Sequence, residues 1–299
     1  MNKFTLGAIL VTSLLFSHLF AAGQLPIDKK LQKKIDLLVK GFGGDVGVYV
    51  KNLRSGKICQ VNADSVFPTA SMVKIPILIG VMDKINKNEL SYEEPLIYKD
   101  SLLYEGEDIL GSIKTDEKIQ LGKVIMLMLT MSDNTASLWL QSLAGTGTQI
   151  NEILDRLGFK NTRVNSRTPG REANRTRYGW GQTSPREMAT LMEKIYRGQV
   201  ITKATSEKML RLLGRNFYDD HAIGAIPPYI FVASKHGAVN QSRSETLLVM
   251  APHTPYIFSI ITKNQKDQSW ENSNEGWVLA SKLSAMLWNY FEPKSDWKK

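Results

Sequence analysis

Apolar residues recur at helical spacing along Asp28–Phe42, where Leu31, Ile35 and Leu38 are separated by lysines. The pattern predicts a helix that ends at Gly43-Gly44. Val46, Val48 and Val50 then alternate as in a strand, Arg54-Ser55-Gly56 supplies a turn, and Ile58 to Val61 reads as the returning strand. From Thr69 to about Leu213 the signals are mainly helical. Ile119 to Met131 is strongly apolar, Thr135 to Leu143 is amphipathic, Gln149 to Leu157 stops at Gly158, and Pro185 opens a helix running to about Arg197. Strand-like runs return at Tyr229–Ser234, Thr246–Ala251 and Tyr256–Thr262, and Glu275–Phe291 closes the chain as an amphipathic helix. This order predicts an α/β (α+β) protein. One antiparallel sheet flanked by helices is assembled from both chain ends, 24–68 and 215–299, with an all-helical subdomain, 69–214, inserted between them.

The first residues follow another pattern. Lys3 precedes an apolar run from Leu6 to Phe20, and Ala21-Ala22-Gly23 offers small residues to a signal peptidase. Residues 1–23 are therefore expected to be a signal peptide and 24–299 a secreted or periplasmic domain, with an uncleaved anchor as the alternative. Cys59 is the only cysteine, so an internal disulfide is excluded, and its alternating surroundings suit a buried structural thiol better than a nucleophile. Hydrophobic residues make up 42% and charged residues 22% of the 299, which argues against disorder and against a membrane bundle. The net charge of +9 is spread along the chain without aromatic interleaving, so no nucleic-acid partner is expected.

Three short clusters carry chemistry. Thr69-Ala70-Ser71-Met72-Val73-Lys74-Ile75-Pro76 opens the helical segment, and Pro76 is tolerated only near a helix start, which puts Ser71 in the first turn. Lys74 follows one turn later on the same face. An amine can take the proton of a serine nucleophile, and free N–H groups at a helix start can hold an oxyanion. Ser132-Asp133-Asn134 lies at the junction of two helices, where it reads equally as a helix cap or as a proton relay with an amide-binding asparagine. Lys235-His236-Gly237 ends a predicted strand, where the glycine would let a substrate backbone lie close. A second Ser-x-x-Lys, Ser295 to Lys298, lies in the polar tail and carries no weight.

The trio, in this order, resembles the class A β-lactamases and their penicillin-binding relatives over nearly all of the mature chain. The resemblance implies a β-lactamase/transpeptidase-like fold. It also implies a secreted serine hydrolase that opens β-lactam rings through covalent attack by Ser71 on a β-lactam or D-alanyl peptide carbonyl, with Lys74 in the proton path. The alternatives are a penicillin-binding or DD-peptidase-like acyl-enzyme with slow deacylation and a non-catalytic β-lactam or cell-wall peptide binding domain. Ser132 would protonate the leaving nitrogen, and Asn134 would bind a substrate amide. The N–H groups of Ser71 and Ala238 would hold the oxyanion, and Lys235 with Ser234 or His236 would hold the substrate carboxylate. Arg243 is in about the right region for a carboxylate-binding arginine, in a register that one residue would reverse. No metal or other cofactor is implied, and a monomer is expected.

Two departures stand out. The family's deacylating glutamate falls, by ungapped counting, on Thr168, which cannot act as a base. Glu172 is the only carboxylate between Asp155 and Glu187 in the loop-rich stretch 161–184, and it is either a replacement base or a partner for Arg171 or Arg175. His236 replaces a small hydroxyl residue. It either donates to substrate with a charge that varies around neutral pH or packs beside the strand. Tyr104, Tyr178 and Trp180 are candidates for the cleft wall or for the core.

Overall fold

The computed structural model describes residues 26–106 and 108–297. The expected signal peptide and the lysine of the tail motif lie outside them. Helix α1 (Lys29–Val39) starts where the Asp28 carboxylate accepts the Leu31 N–H, and it leads into the hairpin β1 (Asp45–Asn52) and β2 (Ile58–Val61). After β3 (Phe67–Pro68), a 3₁₀ turn over Ala70–Val73 runs into α2 (Lys74–Asn86). The short pair β4 (Pro95–Ile97) and β5 (Lys118–Gln120) precedes α3 (Leu121–Thr130), α4 (Asn134–Leu143) and α5 (Thr146–Arg156). The segment expected as loop contains β6 (Arg163–Val164), α6 (Glu172–Tyr178) and β7 (Gly181–Thr183). Then come α7 (Pro185–Tyr196), α8 (Lys203–Leu213), β8 (Val232–Val239), β9 (Ser242–Val249), β10 (Tyr256–Lys263) and α9 (Glu275–Phe291).

The main sheet has the order β2-β1-β10-β9-β8 and is antiparallel throughout, so strands from both ends of the chain meet where β1 pairs with β10. Side-chain alternation sorts its residues into two apolar faces. Val46, Val48, Val50, Leu247, Val249, Phe258 and Ile260 pack with Leu31, Ile35, Leu283 and Leu287 of α1 and α9. Tyr49, Ala233, Leu248, Ile257 and Ile261 pack with the helices that lie between β3 and β8 in sequence. Helix α7 crosses this second face against β1, β9 and β10. Cys59 is buried in the first core, where burial pushes its thiol up to about 12, so it is an inert filler and not a nucleophile.

The stretch 161–184 is ordered by specific bonds. β7 pairs with both β3 and β6, which fastens the stretch to the strand that precedes Ser71. Glu187 accepts the N–H groups of Lys160, Asn161 and Thr162, and Arg171 donates to Asn165 Oδ1 (2.7 Å) and Gln182 Oε1 (2.9 Å). Composition read this stretch as loop because its strands are two and three residues long, too short for a periodic signal.

Candidate active site

Ser71 sits where β3 turns into α2. Ala70 takes a left-handed φ of 45°, a conformation that costs a non-glycine residue on the order of 1 kcal/mol. This bend brings Ser71 into the 3₁₀ turn, whose first backbone hydrogen bond runs from Met72 N–H to Thr69 O (3.0 Å). The Ser71 N–H precedes any intrahelical acceptor and is available to a ligand. Lys74, the first α-helical residue, is fully buried, and its Nζ lies 3.0 Å from Ser71 Oγ, from Ser132 Oγ and from Asn134 Oδ1, with the Ser132 carbonyl also in contact. A nitrogen within bonding distance of two hydroxyls can take a proton from one and return it through the other.

Ser132 also has a left-handed φ, 59°, which turns both its carbonyl and its hydroxyl toward Lys74. The next residue has a structural task. Asp133 is the N-cap of α4, accepting the Ala136 N–H (2.7 Å), while its other oxygen accepts Ile109 N–H (2.6 Å) and Leu110 N–H (2.8 Å). Burial raises its pKa and those three donors oppose the rise. Within this motif, then, Ser132 and Asn134 face the lysine while Asp133 fixes their backbone.

On β8 the two-residue hairpin turn after Val239 sets which groups face the cleft. Val239 and Ser242 close the hairpin, so the next pair, Ala238 and Arg243, turns its backbone N–H and C=O groups outward. β8 is the edge strand and lies against the Ser71 turn, which puts the free edge of Ala238 beside Ser71. Lys235 and Gly237 share the Ala233 face. Lys235 is fully buried and donates to Ser132 Oγ (3.2 Å) and to the His236 carbonyl (3.1 Å), so the Ser132 hydroxyl bridges two amines. The missing side chain of Gly237 makes room for the chain itself rather than for a substrate. A Cβ there would come within 2.6 Å of Ser71 N and 2.7 Å of Thr69 O. Ser244, opposite Gly237, bridges the same join from Oγ to Thr69 O and Gly237 O (both 3.1 Å).

His236 lies on the other face of β8, beside Tyr218 and Trp277, and lines the cleft. Burial above all, then Lys235, Lys74 and His221, pushes its pKa well below 6.5, so the expected change of charge around neutral pH is corrected to a neutral ring. Arg243 is corrected as well. It shares the Leu247 and Val249 face, is 2% exposed, donates to the carbonyls of Val239 (2.6 Å), Ser242 (3.0 Å) and Ser269, and stacks under Trp270 and Trp277. The register that sequence left open resolves away from the cleft, and Ser244 takes the inward position.

Neither loop candidate, Thr168 or Glu172, lines the cleft. Thr168 is turned toward α5, its Oγ1 donating to Ser166 O (2.9 Å) and packing on Gly147. Glu172 is exposed at the first residue of α6, where its carboxylate accepts the Gly170 N–H (3.1 Å), and it does not line the cleft. Its proposed catalytic position is thereby corrected: the helix start holds it toward solvent. The cleft, about 890 Å³, has no carboxylate among its described lining residues. Ser71, Asn134, His236 and Ala238 do line it, and Tyr104, Tyr178 and Trp180 form one wall with Arg177. Tyr104, held by Thr135 Oγ1 (2.9 Å), meets Trp180 edge-on at 5.0 Å. Trp270, which stands in no motif or periodic run, also lines the cleft. Among the described residues no group of three or more His, Cys, Asp or Glu side chains could hold a metal ion.

A family model described as "Beta-lactamase enzyme family" matches residues 30–291. Beta-lactamase VEB-1 of Pseudomonas aeruginosa is 21% identical over 297 residues, which cover 95% of this chain and 96% of that protein. Among solved structures, PBP-A superposes with a TM-score of 0.79 at 26% identity, over 90% of this chain and 98% of that one. A PBP-A variant described as an acyl-enzyme complex with penicillin G gives the same values. The class A beta-lactamase of Mycobacterium abscessus shares the fold with a TM-score of 0.77 at 19% identity, over 87% of this chain and 98% of that one.

Proposed function

We propose that this chain, which belongs to the beta-lactamase enzyme family, forms an acyl-serine at Ser71 with β-lactams or D-alanyl peptides and releases it slowly. The observation that carries the first half is the Lys74 amine, 3.0 Å from both Ser71 Oγ and Ser132 Oγ. Unprotonated Lys74 takes the Ser71 proton as Oγ attacks the amide carbonyl. The oxyanion is met by the N–H groups of Ser71 and Ala238, preorganised donors of the kind worth about 10²–10³ in rate each. The C–N bond then breaks as the proton passes from Lys74 through Ser132 to the departing nitrogen, with Lys235 holding the far side of that hydroxyl. Asn134, anchored by Lys74, has its amide nitrogen left for the substrate.

The second half is supported by the long loop. Releasing an acyl-serine needs a base beside the attacking water. Thr168 is turned to α5 and Glu172 to solvent, and the described cleft lining holds no carboxylate. The likeness to PBP-A, one variant of which carries penicillin G as an acyl-enzyme, favours the same outcome. Export to a secreted or periplasmic compartment belongs to the proposal too, on the strength of the leader pattern in residues 1–23.

A chromogenic cephalosporin tests the reading. It should give a stoichiometric burst that Ser71→Ala abolishes, followed by slow turnover that Glu172→Gln leaves unchanged. Rapid steady turnover that disappears in Glu172→Gln would overturn slow release and restore Glu172 as the base.

A further inference from the structure

His236 reaches the cleft over a polar cluster that the acylation steps do not use. The Oδ1 of Asn216 accepts the Tyr218 N–H (3.2 Å), which fixes the oxygen end of the amide. Its Nδ2 therefore faces Ser234 Oγ at 2.9 Å and His236 Nδ1 at 3.5 Å. A proton on Nδ1 would set two donors against each other, so Nδ1 presents its lone pair to Asn216. In a neutral imidazole the proton then sits on Nε2. Among the described residues the ring's hydrogen-bond contact is at Nδ1, and the ring lines the cleft. Tyr218, edge-on at 4.7 Å, and Trp277, at 6.1 Å, hold the ring in place.

We propose that Asn216 is a positioning residue that locks His236 as the Nε2–H tautomer, giving the cleft a neutral hydrogen-bond donor for the carboxylate of the acyl donor. The proposal rests on the reading of the cleft as an acyl-donor site. Among the described residues, charged and titratable groups besides the Tyr218 phenol face His236 from four directions. Lys235 is on its own strand, Lys74 comes from α2 and His221 from the segment before β8, and all three oppose a second proton on the ring. Glu245 is its register partner on β9, fully buried, and burial pushes its carboxyl up to about 8. At neutral pH it is therefore uncharged and does not draw a proton onto the imidazole.

Histidine-ring ¹⁵N NMR on the wild-type protein tests the lock directly, with His236→Gln assigning the signal. The expected spectrum has an unprotonated Nδ1 and a protonated Nε2 that do not change from pH 6 to pH 8. A proton on Nδ1, or titration in that range, overturns the proposal. Asn216→Asp supplies the functional arm. Its carboxylate accepts from Nδ1–H and raises the ring's pKa into the range of pH 6 to 8, so the ring still donates from Nε2 while protonated at pH 6 and, once neutral at pH 8, turns a lone pair toward the substrate carboxylate. The acylation rate with benzylpenicillin, divided by the wild-type rate, should then fall about tenfold from pH 6 to pH 8, while Asn216→Ala shows no such slope. Parallel pH profiles for Asn216→Asp and wild type overturn the role in substrate binding. If Asn216→Asp does not fold, the wild-type spectrum still decides the tautomer. Failure of wild type to acylate at all would defeat the cleft reading, and carboxylate recognition with it, while the spectrum reports separately on the ring.

Discussion

Replacing Gly237 by alanine puts one methyl group into the join between β8 and the Ser71 turn. The new Cβ would lie 2.6 Å from Ser71 N, 2.7 Å from Thr69 O and 2.9 Å from Ser244 Oγ. Ordinary contact begins near 3.4 Å, so strand and turn must separate by about 0.8 Å. Two of the three clashing atoms are backbone, which leaves no side-chain rotation to relieve them. Overpacking of this kind costs about 1–3 kcal/mol, or roughly 2–10 °C in melting temperature for a chain of this size. The larger effect falls on chemistry, because the proposed oxyanion donors at Ser71 and Ala238 lie on opposite sides of the widened join. A displacement near 1 Å costs about 10² in rate, so Gly237→Ala should acylate roughly a hundredfold more slowly. Single-turnover acylation by a chromogenic cephalosporin, with a thermal melt on the same sample, reads both quantities. Adding Ser244→Ala removes the one side-chain clash and should restore little. Acylation within threefold of wild type at an unchanged melting temperature would mean that the join absorbs the methyl group without moving the Ser71 turn.

Asp133→Ala leaves three N–H groups without their acceptor, at Ile109, Leu110 and Ala136. It should destabilise the fold by about 2–4 kcal/mol in a urea titration, and a loss below about 0.5 kcal/mol would contradict the capping role. Glu245 makes stability depend on pH. Its folded pKa is raised from 4.5 to about 8, so it keeps a proton that the unfolded chain releases. Stability is therefore fully present below about pH 4.5, falls as pH rises toward 8, and levels off above, by at most on the order of 5 kcal/mol. Glu245→Gln should flatten that part of the profile, and parallel profiles would remove the assignment. Arg243→Met should lower the melting temperature yet change acylation by less than threefold, since the guanidinium is tied to three carbonyls under Trp270 and Trp277. A tenfold loss of substrate affinity without loss of stability would return it to the cleft.

Elements with a long apolar period were legible in the sequence. The spacing of Leu31 and Ile35 announced α1, and Glu275–Phe291 was read with the bounds of α9. The strand signal at Tyr229–Ser234 began early and missed Lys235 to Val239, because Lys235, His236 and Gly237 do not look like strand residues. They are in β8 through pairing with β9 and packing against the Ser71 turn, neither of which leaves a local signature. Motif order drew attention to Ser71, Lys74, Ser132, Asn134 and Lys235, and the fold brings those five side chains to one hydrogen-bonded cluster. Arg243 was misjudged because face depends on register, and register depends here on the two-residue turn Asn240-Gln241. Ser244 was within reach of that argument. Asn216 was not, since only tertiary packing brings it beside His236.

Under the proposed function, Ser71 carries an acyl group that water removes slowly. Intact-mass spectrometry of the protein mixed with benzylpenicillin, followed by rapid removal of free drug, measures it most directly. The expected gain equals the whole mass of the drug, because ring opening loses no atoms. The gain should map to the peptide containing Ser71, be absent in Ser71→Ala, and persist for many minutes. No adduct at all, or one that vanishes within seconds while hydrolysed drug accumulates in excess of the protein, would contradict the proposed function.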